Sequence, residues 1–159
     1  MTEVQRLIGC PGVDINYALS DGRTGLWRAA YEGHLEVVKL LLSVPEIDVN
    51  QAKTTTGATP LFMASQKGHD KVVKALLADH RVDPNIRRKG GTKNNAVNVA
   101  AFYGHLEVVK LLLRCPKVNL GVENKYGVTE LDSAKEQGHW DIVNAIQSRQ
   151  SLLQEGHTC

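Results

Sequence analysis

The sequence predicts an all-α fold, a solenoid of stacked helix-turn-helix units whose connecting loops are β-turn or hairpin-like. Three observations carry that expectation. The stretch "AAYEGHLEVVKLLL" from Ala29 returns from Ala100 as "AAFYGHLEVVKLLL", identical at twelve of fourteen positions and changed only where Tyr31 becomes Phe102 and Glu32 becomes Tyr103. Gly-His recurs at Gly33, Gly68, Gly104 and Gly138, at separations of 35, 36 and 34 residues. Self-similarity at such a period marks supersecondary units that must stack to bury their apolar faces. In "HLEVVKLLLS" the polar Glu36, Lys39 and Ser43 stand three and four apart among Leu35, Val37, Val38, Leu40, Leu41 and Leu42. Such a helix has one narrow wet stripe and needs cover on both flanks.

The elements follow in order. Residues 1–23 read as an amino-terminal half unit with its loop, because "TEVQRLIG" puts Glu3 and Arg6 where the internal second helix has Val37 and Leu40. Polar residues there are what the end of a stack requires. Three full units, 24–58, 59–94 and 95–128, are followed by a carboxy-terminal capping unit, 129–150, and a tail, 151–159. Their first helices open at "TGLWRAA", "TPLFMAS", "NAVNVAA" and "TELDSAK". Thr24, Thr59, Asn95 and Thr129 can each accept a backbone N–H at a helix start, and Pro60 suits the first helical position. The glycine of each Gly-His suits a left-handed residue that ends the first helix and reverses the chain. The second helices end before "VPEIDVN", "DHRVDPN" and "CPKVNLG", a pattern already present as "CPGVDIN" at Cys10. Pro11, Pro45 and Pro116 disfavour helix at the residue before them. In the capping unit Ala145 and Gln147 replace Leu40 and Leu42, and the terminal "EGHTC" is expected to fray.

Helix, Gly-His turn, helix, a D-V-N-like loop and a Thr-Pro-Leu start together resemble the ankyrin repeats, over roughly residues 3–147. Thr59-Pro60-Leu61 and Asp48-Val49-Asn50 match that family's motif closely. The histidine usual after Thr-Pro-Leu is replaced by Trp27, Phe62, Asn98 and Asp132, which leaves its bond to the neighbouring loop without the usual donor. Leu42 with Val49-Asn50 also resembles the ankyrin asparagines that an asparaginyl hydroxylase modifies. The resemblance implies recognition of another protein on a concave surface made by the first helices and the loop tips. It puts Tyr31 and Glu32, Gln66 and Lys67, Phe102 and Tyr103, and Glu136 and Gln137 on that surface.

Composition narrows the function further. A chain of 159 residues with 42% hydrophobic content and a net charge of +2 can bury a core and carries no global signal for nucleic acid or membrane. No run approaches a membrane span, no leader precedes the first unit, and a cytoplasmic or nuclear monomer is expected. Cys10, Cys115 and Cys159 form neither a CxxC pair nor a zinc-like spacing, so reduced thiols and no metal are expected. Four of the six histidines belong to the Gly-His turns, and Asp14, Asp48 and Asp83 recur in the loops, which repetition explains without catalysis. With no nucleophile elbow, zincin motif or phosphate loop, neither a cofactor nor an enzymatic activity is expected.

The residues that break the repeat carry the functional reading. Tyr31, Phe102 and Tyr103 are expected to bind a partner, with packing in the stack as the alternative, because aromatics bury much area at small entropic cost. Trp27 and Phe62 either fill the space of the missing histidines or join the same surface. The loop "IRRKGGTKN" is the longest and carries Arg87, Arg88, Lys89 and Lys93. This basic finger could grip an acidic segment of a protein or, as a second reading, a nucleic acid or anionic lipid.

Overall fold

The computed structural model of the chain describes Arg6, Cys10 and residues 12–155. Glu3 and the helix expected around it lie outside the described residues, as does Cys159. Eight helices form four pairs among them: α1 (Gly25–Glu32) with α2 (Leu35–Leu42), α3 (Pro60–Lys67) with α4 (Asp70–Ala78), α5 (Ala96–Tyr103) with α6 (Leu106–Arg114), and α7 (Glu130–Glu136) with α8 (Trp140–Glu155). The cap residues act as their chemistry demands. Thr24, Thr59, Asn95 and Thr129 each accept the backbone N–H three residues on. Helix α8 runs through Glu155, so the first five residues of the expected tail are helical. No glycine or proline interrupts the chain between Trp140 and Glu155.

The first helices α1, α3, α5 and α7 stack in one layer and the second helices α2, α4, α6 and α8 in another. Small residues, Ala29, Ala30, Ala64, Ala100, Ala101 and Ala134, let the helices approach, while Val38, Leu41, Val73, Leu76, Val109, Leu112, Ile142 and Ile146 fill the core. Position in the stack, and not sequence, decides how much is buried. Val37 and Leu42 of α2 are half-buried, whereas Val108 and Leu113, the same letters in α6, are 1% and 7% exposed. Helix α6 has α4 on one side and α8 on the other. The polar stripe faces outward as expected, with Glu36–Lys39 and Glu107–Lys110 pairs at 2.9 and 2.8 Å. Such exposed pairs add little stability. Cys10 and Cys115 are free thiols.

Several ladders tie each unit to the next. Asp14, Asp48 and Asp83 accept the backbone N–H two residues on and so fix Asn16, Asn50 and Asn85. Each asparagine then donates to a carbonyl of the following unit, Glu46, Arg81 and Lys117 respectively, and accepts from Asp48, Asp83 and Asn119 N–H groups there. The histidines of the turns form the second ladder. Nε2 of His69, His105 and His139 lies 3.0, 2.9 and 3.2 Å from the carbonyl oxygens of Tyr31, Gln66 and Phe102. Arg81 adds a clamp that sequence reasoning missed: its guanidinium donates to the carbonyls of Leu42, Val44 and Pro45 while Asp79 holds it from the side. That contact holds the Asp79 carboxyl below its usual range, chiefly through the hydrogen bond from Arg81.

The histidine ladder makes Gly33, Gly68 and Gly104 more than conformational hinges, because each packs against a histidine ring of the next turn. Gly68 has φ +74°, and a Cβ there would lie 2.6 Å from Nδ1 of His105, whose ring is pinned to Gln66. Gly138 has almost the same φ, +75°, but nothing within 4 Å of such a Cβ. Gly138→Ala should therefore cost only the left-handed strain, roughly 1–2 kcal/mol, and Gly68→Ala distinctly more. Equal losses in denaturant titrations would show that the ring does not pack on the turn.

The asparagine ladder stops at Gly121, which stands where Asn85 does one unit earlier. Its N–H instead donates to Oε1 of Glu130 at 2.7 Å, and Glu130, at the start of α7, is fully buried with Oε2 unpartnered. Burial pushes this carboxyl above its usual value, against the opposing effect of the Gly121 N–H. The folded state then holds the proton more tightly than the unfolded chain, so this group's contribution falls as pH rises from about 4.5 upward. Glu130→Gln keeps the bond to Gly121 and removes the ionisation. Its melting temperature relative to the parent should rise as the pH is raised above about 4.5, and a flat difference would rule out the buried acid as the cause.

Candidate protein-interaction face

The fate of the missing histidines shapes the face between the first helices and the loop tips. Trp27 is 5% exposed, and its indole N–H donates to the Ala58 carbonyl of the following loop at 2.8 Å, restoring a tie from first helix to loop by another donor. Phe62 is 2% exposed and clusters with Trp27, Ala58, Met63 and Val99, with Tyr31 packed against the group. Asn98 and Asp132 close capping boxes with Asn95 and Thr129. Trp27 and Phe62 are thus the floor of the face and contribute area only where cavities reach them.

The two residues that distinguish the copied stretches differ sharply in setting. Tyr31 stacks on Trp27 with ring centroids 5.5 Å apart, Lys67 sits 4.7 Å over its ring, and Glu32 pairs with Arg28 at 3.1 Å. Phe102 and Tyr103 are instead 40% and 50% exposed, touching edge to face at 5.2 Å. The Tyr103 ring stacks on His105, and its hydroxyl accepts a long bond from Gln66 Nε2. Tyr31 is half-buried between Trp27 and Lys67 and the exposed Glu32 is ion-paired, whereas both rings of the second pair are presented to solvent. Glu136 and Gln137 at the end of α7 are exposed as well.

Each loop tip is a short hairpin closed by one backbone bond: Leu19 to Arg23, Lys53 to Ala58, Arg88 to Asn94 and Asn124 to Val128. Adjacent tips are laddered by Thr54 N–H to Asp21, Lys89 N–H to Thr56 and Lys125 N–H to Thr92. The third tip does not present its four cations together. Arg87 donates to the carbonyls of Lys93 and Glu123, so it braces this hairpin to the next one. Arg88 turns inward, with its guanidinium 5.3 Å over the Phe62 ring. Lys89 and Lys93 stay exposed, the latter at a left-handed φ of +57°.

Two cavities open on this face. One, of about 510 Å³, lies over Trp27, Tyr31 and Phe62, with Arg23, Lys53 and Arg88 on its tip side. The other, of about 300 Å³, runs from Phe62 and Arg88 to Phe102, Tyr103 and Tyr126. Arg23 and Lys53 share Asp21, whose carboxyl is held below its usual range chiefly by the hydrogen bond from Arg23. Arg23, Lys53 and Tyr126 were not legible as site residues, because only the folding of successive tips over the helices brings them to the cavities. Among the described residues no group of three His, Cys, Asp or Glu stands where it could hold a metal ion, and no helix is long and apolar enough to cross a membrane.

A family model described as ankyrin repeats in three copies matches residues 2–88, and a single ankyrin-repeat model matches residues 93–125. The chain belongs to the ankyrin-repeat family. Ankyrin repeats are in general protein–protein interaction modules, and the family is typically non-enzymatic. The ankyrin-repeat chain is 36% identical over 63 residues to the mitochondrial liver isoform of glutaminase from Mus musculus, and 35% identical over 63 residues to that from Rattus norvegicus. These matches cover 40% of this chain and 10% of either relative. Alpha-latrotoxin-Lg1a from Latrodectus geometricus is 27% identical over 138 residues, 87% of this chain and 10% of the toxin. The chain spans about a tenth of the length of these curated relatives, so the similarity concerns a repeat segment within much larger proteins.

Proposed function

We propose that this ankyrin-repeat chain is a non-enzymatic binding module, acting as adaptor, scaffold or inhibitor, that recognises a protein partner on the face between its first helices and loop tips. The carrying observation is the contrast between identical scaffolds. Tyr31 is half-buried on Trp27 and the exposed Glu32 is ion-paired with Arg28, both lining the first cavity, whereas Phe102 and Tyr103, in otherwise the same stretch, stand 40% and 50% exposed beside the second. Exposed aromatics on a rigid, preorganised support cost little ordering entropy when they are buried by a partner. Gln66 and Glu136 stand beside them as polar neighbours with Phe62 at the floor of the same cavity, while Lys67, Glu32 and Trp27 surround Tyr31.

Hydrogen exchange on the complex with a partner isolated by pull-down tests the reading. Protection gained on binding should concentrate in 27–32, 62–67, 88–94 and 102–103 and leave the outer stripe of Glu36, Lys39, Glu107 and Lys110 unchanged. Protection confined to that outer stripe would overturn it.

The rival reading, nucleic acid or anionic lipid on the finger from Arg87 to Lys93, loses support because Arg87 is spent as a brace and Arg88 faces inward. Salt separates the two. Four phosphate contacts would weaken binding roughly a hundredfold between about 50 and 200 mM salt, while an aromatic-anchored protein complex should change far less. A steep salt slope for the isolated partner would favour the finger.

A further inference from the structure

Arg88 is placed as a structural residue would be, yet it has no structural partner. Its Nε is buried without an acceptor, and among the described residues its side chain makes no hydrogen bond or ion pair. Every other cation around the first cavity has a carboxylate: Arg28 holds Glu32, and Arg23 and Lys53 share Asp21. What fixes Arg88 is the Phe62 ring beneath it and the backbone bond from its own N–H to Asn94. The guanidinium therefore stands on the wall shared by the two cavities, oriented and partly desolvated, with its hydrogen-bonding capacity unused.

We infer that Arg88 is the recognition point for one carboxylate of an extended peptide segment in the partner. A planar guanidinium held on an aromatic face is preorganised for two parallel bonds to a carboxylate, which an ammonium on a flexible stem cannot reproduce. The apolar neighbours set the rest of the ligand. Tyr31 with Trp27 lies one unit to one side, and Phe102 with Tyr103 lies one unit to the other. Packed helices sit roughly 8–10 Å apart and an extended chain advances about 3.3 Å per residue. The segment thus carries an Asp or Glu with a large apolar or aromatic side chain about three residues away, on one side or on both. The assignment rests on the reading of this face as the binding surface and names what it selects.

Random dodecapeptides displayed on phage and panned against the full chain test the assignment, with the best binder then synthesised with a fluorescein label. Enriched peptides should share an acidic residue with an apolar one about three positions off. Arg88→Ala and Arg88→Lys should each weaken the labelled peptide about tenfold or more, although Arg88→Lys keeps the charge and both keep the backbone bond to Asn94. A peptide with its acid replaced by the amide should bind the parent about as weakly, and should bind Arg88→Ala no worse than the acidic peptide does. That loss of discrimination marks a direct pair and would not follow from a folding defect. Binders without an acid, no enriched binder at all, or discrimination that survives Arg88→Ala would each overturn the assignment. So would displacement of the peptide by a single-stranded oligothymidylate, which would give Arg88 to a phosphate. If converting Phe102-Tyr103 to Tyr-Glu weakens the peptide while the Arg88 variants do not, the face stands and the carboxylate falls. If neither change matters, both readings fall.

Discussion

Truncating Leu112 to alanine should cost roughly 3–5 kcal/mol of unfolding free energy, the upper part of the range for buried leucines. The side chain is completely buried in the layer of second helices, with α4 and α8 on either side, so neither neighbour can relax into the space without leaving the other. Leu41 provides the internal comparison. It has the same letter, helix and flanking sequence, but is 5% exposed in a helix whose companions Val37 and Leu42 are only half-buried. Leu41→Ala should therefore fall nearer about 2 kcal/mol. Denaturant titration of both variants checks the ordering, and a Leu41 loss equal to or above that of Leu112 would contradict burial on both sides of α6.

Converting Phe102-Tyr103 to the Tyr-Glu of the first unit should separate binding from folding. The substitution forfeits the edge-to-face contact of the two rings, the stack of Tyr103 on His105 and a long bond from Gln66. All are at an exposed surface, so stability should move by no more than about 0.5–1 kcal/mol. Affinity for the partner should fall by about 2 kcal/mol or more, roughly thirtyfold, because an aromatic anchor is lost and a glutamate is set against any acidic ligand. The informative control changes Lys89 and Lys93 to alanine, since both are exposed, and leaves Arg87 in place, because its brace to Glu123 would confound the measurement. If the swap spares affinity and the lysine variant abolishes it, recognition belongs to the finger and not to the aromatic pair.

Much of the fold could be read from local chemistry. Cap residues, the glycines of the turns and the apolar flanks of "HLEVVKLLL" act within a few residues of themselves, and the structure places them as their chemistry requires. The site was less legible, for a physical reason. Arg81 and Lys117 reach back to acceptors in the preceding unit, Arg87 forward to the next, and Trp27 to the far end of its own, all 31 to 39 residues away. No local pattern announces which side chain will reach across. The composition of the finger showed four cations but not their directions, and those directions divide them into a brace, an inward guanidinium and two solvent-facing lysines. The recurrence of Asp14, Asp48 and Asp83 showed a loop feature common to the units but not the asparagine ladder it supports, nor its end at Gly121, because the carbonyls that the asparagines reach lie about 30 residues on.

The ladders have a bearing on how the molecule comes into being. Apart from the short bond from Gly121 to Glu130, the hydrogen bonds between units of the described residues join positions 30 to 39 apart, and none reaches past the adjacent unit. Closing each tie therefore costs about the same chain entropy, and no tie waits on a distant segment. On a ribosome, the helices of the first two units can dock as soon as both have cleared the exit, and each later unit is added to a template already formed. The order of synthesis and the order of assembly can then coincide.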